Sequence, residues 1–190
     1  MTAPRFIIVS GLPASGKSTV ASAVAGALDL PLLDKDAFLE ALFDSQGTGD
    51  AAWRRALSHA ADEALRREAE TSGGAVLVSW WRHPLSPVAT GTPTHWLAHL
   101  PGSIIEVHCR CSPATAAQRF LARQRHAGHL DGRWQHDELI ASFDLHAALG
   151  ALAVGQLVGI DTEAALSAGP LSRCVAAVRA AAVISAYSAN

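Results

Sequence analysis

The sequence predicts a three-layer α/β fold, in which a five-stranded parallel sheet carries helices on both faces and a small lid. Five short apolar runs alternate along the chain with segments whose apolar residues recur at helical spacing. This alternation is typical of a parallel sheet, because the connection between two parallel strands usually contains a helix. With 190 residues and 49% apolar content, the chain is expected to form a single domain, residues 1–190. The strands are predicted at residues 5–10, 30–33, 75–79, 104–109 and 156–160.

The first predicted strand runs directly into residues 11–19, which read Gly-Leu-Pro-Ala-Ser-Gly-Lys-Ser-Thr. This segment fits the P-loop pattern Gly-x-x-x-x-Gly-Lys-Ser/Thr, whose backbone N–H groups surround the phosphates of a nucleotide. Gly11 and Gly16 permit backbone angles that a Cβ would obstruct. We expect Lys17 to reach the β- and γ-phosphates of ATP and to act in catalysis, and the Ser18 hydroxyl to bind Mg²⁺. The predicted nucleotide-binding residues of this loop are Gly11, Pro13, Ala14, Ser15, Gly16, Lys17, Ser18 and Thr19.

A helix is predicted directly after this loop, because apolar residues recur every four positions from Val20 to Leu28. Its N-terminus would face the phosphates, where the helix dipole stabilises negative charge. A strand before the loop and a helix after it are the context in which the motif binds a nucleotide. The sequence therefore predicts a nucleotide site at this point.

Two carboxylates follow the second predicted strand in the sequence Asp34-Lys35-Asp36. Phosphoryl transfer needs charge neutralisation, in-line positioning and a group that takes the proton of the acceptor. With a bend between Asp34 and Asp36, one carboxylate can face Mg²⁺ through water and the other an acceptor hydroxyl. A helix is predicted from Ala37, and the alternative for Asp36 is that it only caps this helix.

Asp50 is predicted to open a long amphipathic helix. Its polar face should carry the surface ion pairs Asp62–Arg66 and Glu63–Arg67. The predicted buried face consists of residues at i+4 steps, namely Trp53, Leu57, Ala61 and Leu65.

The third predicted strand ends at Ser79, where many P-loop enzymes place an aspartate for Mg²⁺. This difference moves the metal role to Asp34 and argues against a motor or AAA-type ATPase. Two tryptophans and an arginine follow, and one tryptophan is expected in the core. The other could stack on a ring of the acceptor while Arg82 pairs with an anion, and we assign these acceptor contacts to Trp81 and Arg82.

Ser112 and Pro113 are predicted to open a helix that extends to about His126. Arg119 and Arg123 lie on one face of that helix, because they are four residues apart. A polar loop with two glycines follows, and we interpret residues 123–135 as a lid that closes on ATP. Arg123 would supply a cation to the transferring phosphate, although a solvated arginine pair is the alternative. The histidines around this loop are irregularly spaced and are predicted to be solvated rather than metal ligands: His126, His129 and His136.

The remaining elements are a helix from Gln135 to about Leu149, a fifth strand that ends at Asp161-Thr162, and a last helix from Pro170. Residues 187–190 are expected to fray. Ligands of parallel sheets bind at the carboxyl ends of the strands. The loop at 11–18, the two aspartates, the tryptophans, the lid arginines and Thr162 should therefore meet in one site.

The order of these motifs resembles the small P-loop kinases, a group that includes gluconate and shikimate kinases and nucleoside-monophosphate-kinase-like relatives. The segments that carry the resemblance read GLPASGKST, DKD, RFLAR and IDT, and the likeness to gluconate kinase spans most of the chain. The group has the P-loop NTPase fold, to which AAA domains also belong. The resemblance implies ATP and Mg²⁺, a base or acceptor contact at Asp36, a metal role for Asp34, and ATP contacts at Arg119, Arg123 and Thr162.

The resemblance does not extend to the acceptor region. The sequence Trp-Trp-Arg at residues 80–82 and the proline-rich loop at 84–102 match neither gluconate nor shikimate kinase. Neither gluconate nor shikimate can therefore be assigned as the substrate of this protein. We expect the acceptor to contact residues of two segments, at about 36–71 and 80–102.

Composition restricts the function classes. The net charge of −2 and the pI of about 6.5 make nucleic acid an unlikely partner, because phosphate contacts need clustered Lys and Arg. No apolar run approaches the roughly 20 residues that span a bilayer, and the first strand leaves no room for a signal peptide. The three cysteines lack metal-ligand spacing. We expect a cytoplasmic protein, monomeric or homodimeric, that does not bind membranes.

The leading hypothesis is an ATP-dependent kinase that phosphorylates a hydroxyl of a sugar acid, a nucleoside, or a hydroxylated metabolite or antibiotic. One alternative is a polynucleotide 5′-hydroxyl kinase, against which the charge counts. The other is a nucleotide-binding regulatory ATPase without transferase activity, in which Asp36 would be inert.

Overall fold

The structure, a computed structural model, describes the backbone of residues 5–188 and the side chains of residues 5–183. Its five strands are all parallel and lie in the order β2-β3-β1-β4-β5. The predicted five-stranded parallel sheet with helices on both faces is confirmed. The strands are β1 (Arg5–Gly11), β2 (Leu32–Asp34), β3 (Gly74–Val78), β4 (Ser103–Arg110) and β5 (Gln156–Asp161). The helices are α1 (Lys17–Leu28), α2 (Lys35–Gln46), α3 (Ala51–Thr71), α4 (Pro113–Ala122), α5 (His136–Ala147) and α6 (Ala168–Ser188).

Alternate residues of β1 face opposite sides of the sheet, as the strand period requires. Ile7 and Val9 face α1 and α6, whereas Phe6 and Ile8 face α3 and the segment 81–100. All four side chains are completely buried, because a parallel sheet is covered on both faces. The central strand is therefore apolar from Phe6 to Val9.

Two smaller helix pairs stand beside the carboxyl edge of the sheet. In one, Phe120 of α4 packs edge-on against Phe143 of α5. In the other, Leu39 and Phe43 of α2 pack against Leu57 of α3. The strand order changes direction at β1, which lies between β3 and β4. These pairs therefore enclose the crevice at the switch point, where such sheets bind ligands.

Several local predictions were wrong. Asp34, not Asp36, caps α2, because its Oδ1 accepts from the backbone N–H of Asp36 at 2.9 Å. Helix α4 ends at Ala122, and Arg123 is its C-cap. Trp53 is 41% exposed, since it lies in the first turn of α3 beyond the packed stretch. Asp62 does not pair with Arg66, whose partners are Glu63 and Glu70.

The chain ends in α6, which the structure follows to Ser188. The predicted fraying at 187–190 therefore partly lies outside the described residues. Among the residues described, no helix is both long and apolar enough to cross a membrane.

One carboxylate of the sheet, that of Glu106, is completely buried. Glu106 of β4 accepts hydrogen bonds from Ser10 Oγ at 2.6 Å and from the backbone N–H groups of Leu152 and Ala153 at 2.8 and 2.9 Å. Ala153 has a φ of 59°, in the left-handed region. Glu106 thus fixes the turn that leads into β5, and its buried charge is satisfied by three donors.

We expect the substitution Glu106→Ala to lower the free energy of unfolding by about 3 kcal/mol, because three donors, two of them buried, lose their acceptor. Urea denaturation followed by circular dichroism measures this change. Glu70→Ala on the exposed face of α3 is the control and should change stability by less than about 0.5 kcal/mol. Equal effects of the two substitutions would contradict the role of Glu106.

Candidate active site

A cavity of about 790 Å³ opens at the carboxyl edge of the sheet. It is lined by the loop after β1, the start of α2, one side of α3, the segment 78–91, the end of α4 and the loop between α4 and α5. Most of the predicted site residues meet here. Those that line the cavity are Pro13, Ala14, Gly16, Lys17, Ser18, Thr19, Asp34, Asp36, Arg82, Arg119 and Arg123.

The two P-loop glycines adopt positive φ angles, 132° at Gly11 and 87° at Gly16. A Cβ at Gly11 would stand 2.4 Å from the carbonyl oxygen of Cys109, so only glycine fits where the loop leaves β1 beside β4. Gly11 and Ser15 of this loop do not line the cavity. The Ser15 hydroxyl is buried without a hydrogen-bond partner among the described residues, a feature that fits a loop built to bind phosphates.

Lys17 is buried at the base of the cavity. Its Nζ donates to the carbonyl oxygens of Gly11 and Leu12 at 3.1 and 2.6 Å. Burial lowers the pKa of Lys17 to about 8, although Cys109 and the carboxylates of Asp36 and Asp34 oppose this shift. A bound phosphate would stabilise the charged form, so this ammonium fits an anion.

Ser18 and Asp34 form the predicted metal side of the site. The Ser18 hydroxyl points to Asp34 Oδ2 at 3.4 Å, and both residues line the cavity. Burial raises the pKa of Asp34, and the charge of Asp36 adds to this effect. Among the described residues no group of three or more His, Cys, Asp or Glu forms a metal cage. One hydroxyl and one carboxylate nevertheless fit Mg²⁺, which usually takes its other ligands from water and phosphates.

Asp36 lies in the first turn of α2 and faces the lid. Arg125 Nη2 forms an ion pair with Asp36 Oδ2 at 2.5 Å, although the two groups are not aligned as a hydrogen bond. Arg125 and Arg123 both donate to Asp131 Oδ2, at 3.3 and 2.9 Å. Two guanidinium groups and two carboxylates thus alternate across the cavity mouth.

The lid segment docks on α2 around one aromatic side chain. The ring of Phe43 stacks on His126 with centroids 5.1 Å apart and meets the edge of His129 at 5.5 Å. His129 is buried, and its Nε2 pairs with Glu40 Oε1 at 2.8 Å. Burial lowers the pKa of His129. The prediction that these histidines are solvated is therefore wrong for His129, because it packs against a helix distant in sequence.

Arg119 and Thr162 meet at the edge of the cavity, but not as the resemblance implied. Arg119 donates to the carbonyl oxygens of Thr162 and Glu163 at 2.7 and 2.8 Å. The Thr162 hydroxyl is buried and donates to the carbonyl oxygen of Arg110 at 3.0 Å, so this side chain does not line the cavity. Thr162 instead anchors the loop after β5, and only Arg119 faces the cavity.

The expectation that Trp81 contacts the acceptor is contradicted by its burial. Trp81 is 4% exposed, packs against Trp96 and donates from Nε1 to the carbonyl oxygen of Val9 at 3.0 Å. The neighbouring Trp80 lines the cavity and meets the edge of His146 with centroids 5.4 Å apart. The two tryptophans point in opposite directions because they are consecutive in an extended segment.

Arg82 lines the cavity but is already engaged. Its guanidinium donates to the carbonyl oxygens of Ala89, Thr90 and Gly91, at 2.8, 3.4 and 3.2 Å. Arg82 therefore holds the loop 89–91 in place. Its guanidinium, which was expected to pair with an anion of the acceptor, is occupied by these backbone contacts.

Lys35 and Asp62 also line the cavity, although sequence reasoning gave neither a site role. Their side chains are 11% and 12% exposed and form an ion pair at 3.0 Å. The signal for Lys35 was its place beside the two aspartates, as one of two lysines in the chain. Asp62 gave no such signal, because its i,i+4 spacing from Arg66 predicted a surface ion pair between the two residues.

The affinity for ATP should depend on pH through Lys17. In the free protein this ammonium loses its proton above about pH 8, and bound phosphates would raise its pKa. We therefore expect the Kd of an unhydrolysable ATP analogue to rise by up to tenfold for each pH unit above 8. Isothermal titration calorimetry between pH 7 and 10 measures this dependence. Lys17→Met should bind weakly with a flat profile, and a flat profile in the unsubstituted protein would contradict the assignment.

Comparison with known families identifies the chain. The family AAA_33, described as an AAA domain, matches residues 6–146. No curated protein matches the chain. The AAA_33 match agrees with the P-loop NTPase fold, to which AAA domains also belong, that the resemblance implied.

Solved structures agree with this fold. A protein from Chloroflexus aurantiacus J-10-fl, described as a candidate kinase, has 28% identity and a TM-score of 0.74, covering 95% of this chain and 99% of that chain. Shikimate kinase from Bacteroides thetaiotaomicron has 15% identity and a TM-score of 0.58, covering 93% and 97%. A sugar kinase from Janibacter sp. HTCC2649 has 19% identity and a TM-score of 0.58, covering 96% and 98%. The chain therefore belongs to the AAA domain family AAA_33 and has the P-loop fold of the small kinases that it resembles.

Proposed function

We propose that the protein is an ATP-dependent phosphotransferase that moves the γ-phosphate of Mg-ATP to a hydroxyl of a small molecule. The observation that carries the proposal is one cavity in which P-loop Lys17, the carboxylate of Asp36 and lid Arg123 all take part. A phosphate-binding ammonium, a carboxylate for the acceptor and a mobile cation are the groups that phosphoryl transfer requires. The 28% identical candidate kinase supports the same reaction class.

On the nucleotide side, the P-loop backbone and Lys17 would bind the β- and γ-phosphates. Ser18 and Asp34 would hold Mg²⁺, which neutralises charge on the transferred group when bound. Arg119 lies at the edge of the cavity with both terminal nitrogens bonded to backbone carbonyls, so its guanidinium plane is fixed for contact with the nucleotide. Arg123 stacks over Phe120 at 4.0 Å and would turn its charge to the phosphate as the lid closes.

On the acceptor side, Asp36 would accept the proton of the attacking hydroxyl. In the structure it pairs with Arg125, so the acceptor must displace or share this arginine. The segments 36–71 and 80–102 supply the surrounding wall, with Trp80 as an aromatic face. Arg54 adds a half-buried cation, whose Nε has no partner among the described residues. This cation fits an acidic group of the acceptor, as a sugar acid would have.

We expect Asp36→Asn to lower kcat about 10³-fold with little change in ATP affinity, because the amide cannot accept the acceptor's proton. The measurement is ADP release from Mg-ATP with pooled sugars and sugar acids, nucleosides, hydroxylated antibiotics and 5′-hydroxyl oligonucleotides. Asp29→Asn, distant from the cavity, is the control and should keep full activity. ATP binding without stimulation by any pool would contradict the kinase proposal, and stimulation by oligonucleotides alone would favour a polynucleotide kinase.

We expect Asp34→Asn to raise the Mg²⁺ concentration for half-maximal activity about tenfold, because a carboxylate on the metal side is lost. Titration of Mg²⁺ at saturating ATP measures this shift. Asp137→Asn, fully exposed at the start of α5, is the matched control. An unchanged Mg²⁺ requirement in Asp34→Asn would remove Asp34 from the metal site.

A further inference from the structure

A second polar pair lines the acceptor side of the cavity, separate from Asp34 and Asp36. Lys35 Nζ lies 3.0 Å from Asp62 Oδ1 and donates to Ser58 Oγ at 2.7 Å. Thr92 Oγ1 donates to the same Asp62 oxygen at 2.8 Å, and Ser79 Oγ lies 2.6 Å from Thr92 Oγ1. A chain of polar groups therefore runs from the end of β3 to the start of α2, and all of its members except the completely buried Thr92 line the cavity.

The pair has hydrogen-bonding capacity that the described residues do not use. The ammonium of Lys35 has three N–H groups. One donates to Ser58 and a second faces Asp62, so the third has no partner among the described residues. Asp62 Oδ1 takes all the contacts, which leaves Oδ2 as an acceptor without a partner among the described residues. One donor and one acceptor thus stand side by side at a cavity wall.

Helix packing alone does not account for this arrangement. Helices α2 and α3 already pack through apolar residues, among them Leu39, Phe43, Leu57 and Ala61. A nearly buried ion pair is seldom more stabilising than apolar side chains of similar size. Thr92 and Ser79 nevertheless hold Asp62 in a fixed orientation. A buried charge that is oriented and only partly satisfied, at the wall of a ligand cavity, is typical of a recognition site.

We propose that Lys35 and Asp62 are the specificity-determining residues of the acceptor site, and that they bind two neighbouring hydroxyl groups of the acceptor. The Lys35 ammonium donates to one hydroxyl oxygen, and Asp62 Oδ2 accepts from the adjacent hydroxyl. A vicinal diol fits, because the free donor and the free acceptor belong to two charged groups in direct contact, with Nζ 3.0 Å from Oδ1 of the same carboxylate. This inference rests on the proposed function, since it places the diol beside Asp36, and it restricts the acceptor to molecules with vicinal hydroxyls.

Trp80 extends the same recognition surface. It directly follows Ser79, the first group of the polar chain, and it lines the cavity. An indole face packs against the C–H face of a ring whose hydroxyl groups point to the side. The acceptor is therefore a cyclic or chain polyol with an apolar face, held between Trp80 and the Lys35–Asp62 pair.

The test compares matched probes that differ by one hydroxyl, in the presence of Mg²⁺ and an unhydrolysable ATP analogue. The pairs are cis-1,2-cyclohexanediol with cyclohexanol, D-ribose with 2-deoxy-D-ribose, and gluconate with 2-deoxygluconate. Saturation-transfer NMR followed by titration gives the Kd of each probe. At least one diol should bind tenfold or more tightly than its deoxy partner, because the deoxy probe leaves a buried polar group unpaired.

Asp62→Asn and Lys35→Met should each reduce this ratio to about one, with the Kd of the ATP analogue changed less than twofold. Glu63→Gln changes the neighbouring residue on the exposed face of α3 and is the matched control. A purely structural pair would lower the thermal stability and weaken both probes equally, leaving the ratio unchanged. That result, or equal binding of diol and deoxy probes to the unsubstituted protein, overturns the inference.

The two proposals fail in different ways. Turnover of an acceptor with a single hydroxyl, unaffected by Asp62→Asn, overturns the diol inference and keeps the kinase. Selective diol binding that is lost in both variants, without phosphoryl transfer to any probe, supports the recognition pair and contradicts the kinase.

Discussion

The close approach of the P-loop to β4 is the constraint on which the site depends. Gly11 leaves β1 so near the Cys109 carbonyl oxygen that a Cβ has no space, and its φ of 132° is accessible to glycine but rarely to other residues. This turn directs the loop over the carboxyl end of the sheet and buries Lys17 beneath it. The lowered pKa of Lys17 follows from that burial. The turn at Gly11 therefore determines both the path of the loop and the pKa of the lysine beneath it.

Charges at the cavity are arranged as alternating pairs rather than as a patch of one sign. Asp36 faces Arg125, Asp131 holds Arg125 and Arg123, and Lys35 faces Asp62. Such pairs keep half-buried charges compensated, because an unpaired charge in a low-dielectric site is costly. They also link the lid, α2 and α3 to one another. A ligand that competes for one partner would therefore affect the position of the lid.

The lid itself is held by contacts of a different kind. Phe43 on α2 lies between His126 and His129, and a Cβ at Gly128 would stand 2.6 Å from its ring. The glycine in this loop therefore serves close packing against an aromatic ring, in addition to any role as a hinge. Opening of the segment 123–135 would separate this stack as well as the ion pairs, so the same contacts would limit access to Asp36.

The sequence by itself determined the sheet, the P-loop and the convergence of Lys17, Ser18, Asp34, Asp36 and Arg123, because strand periodicity and a glycine-dependent loop are local patterns. Tertiary structure alone decided between Trp80 and Trp81, turned Thr162 inward and brought Asp62 from a predicted surface pair to Lys35. Adjacent side chains on an extended segment point in opposite directions, and local sequence does not say which direction meets the core. Asp62 contacts Lys35 because α3 packs beside α2, a relation between residues 27 positions apart that helical spacing does not encode.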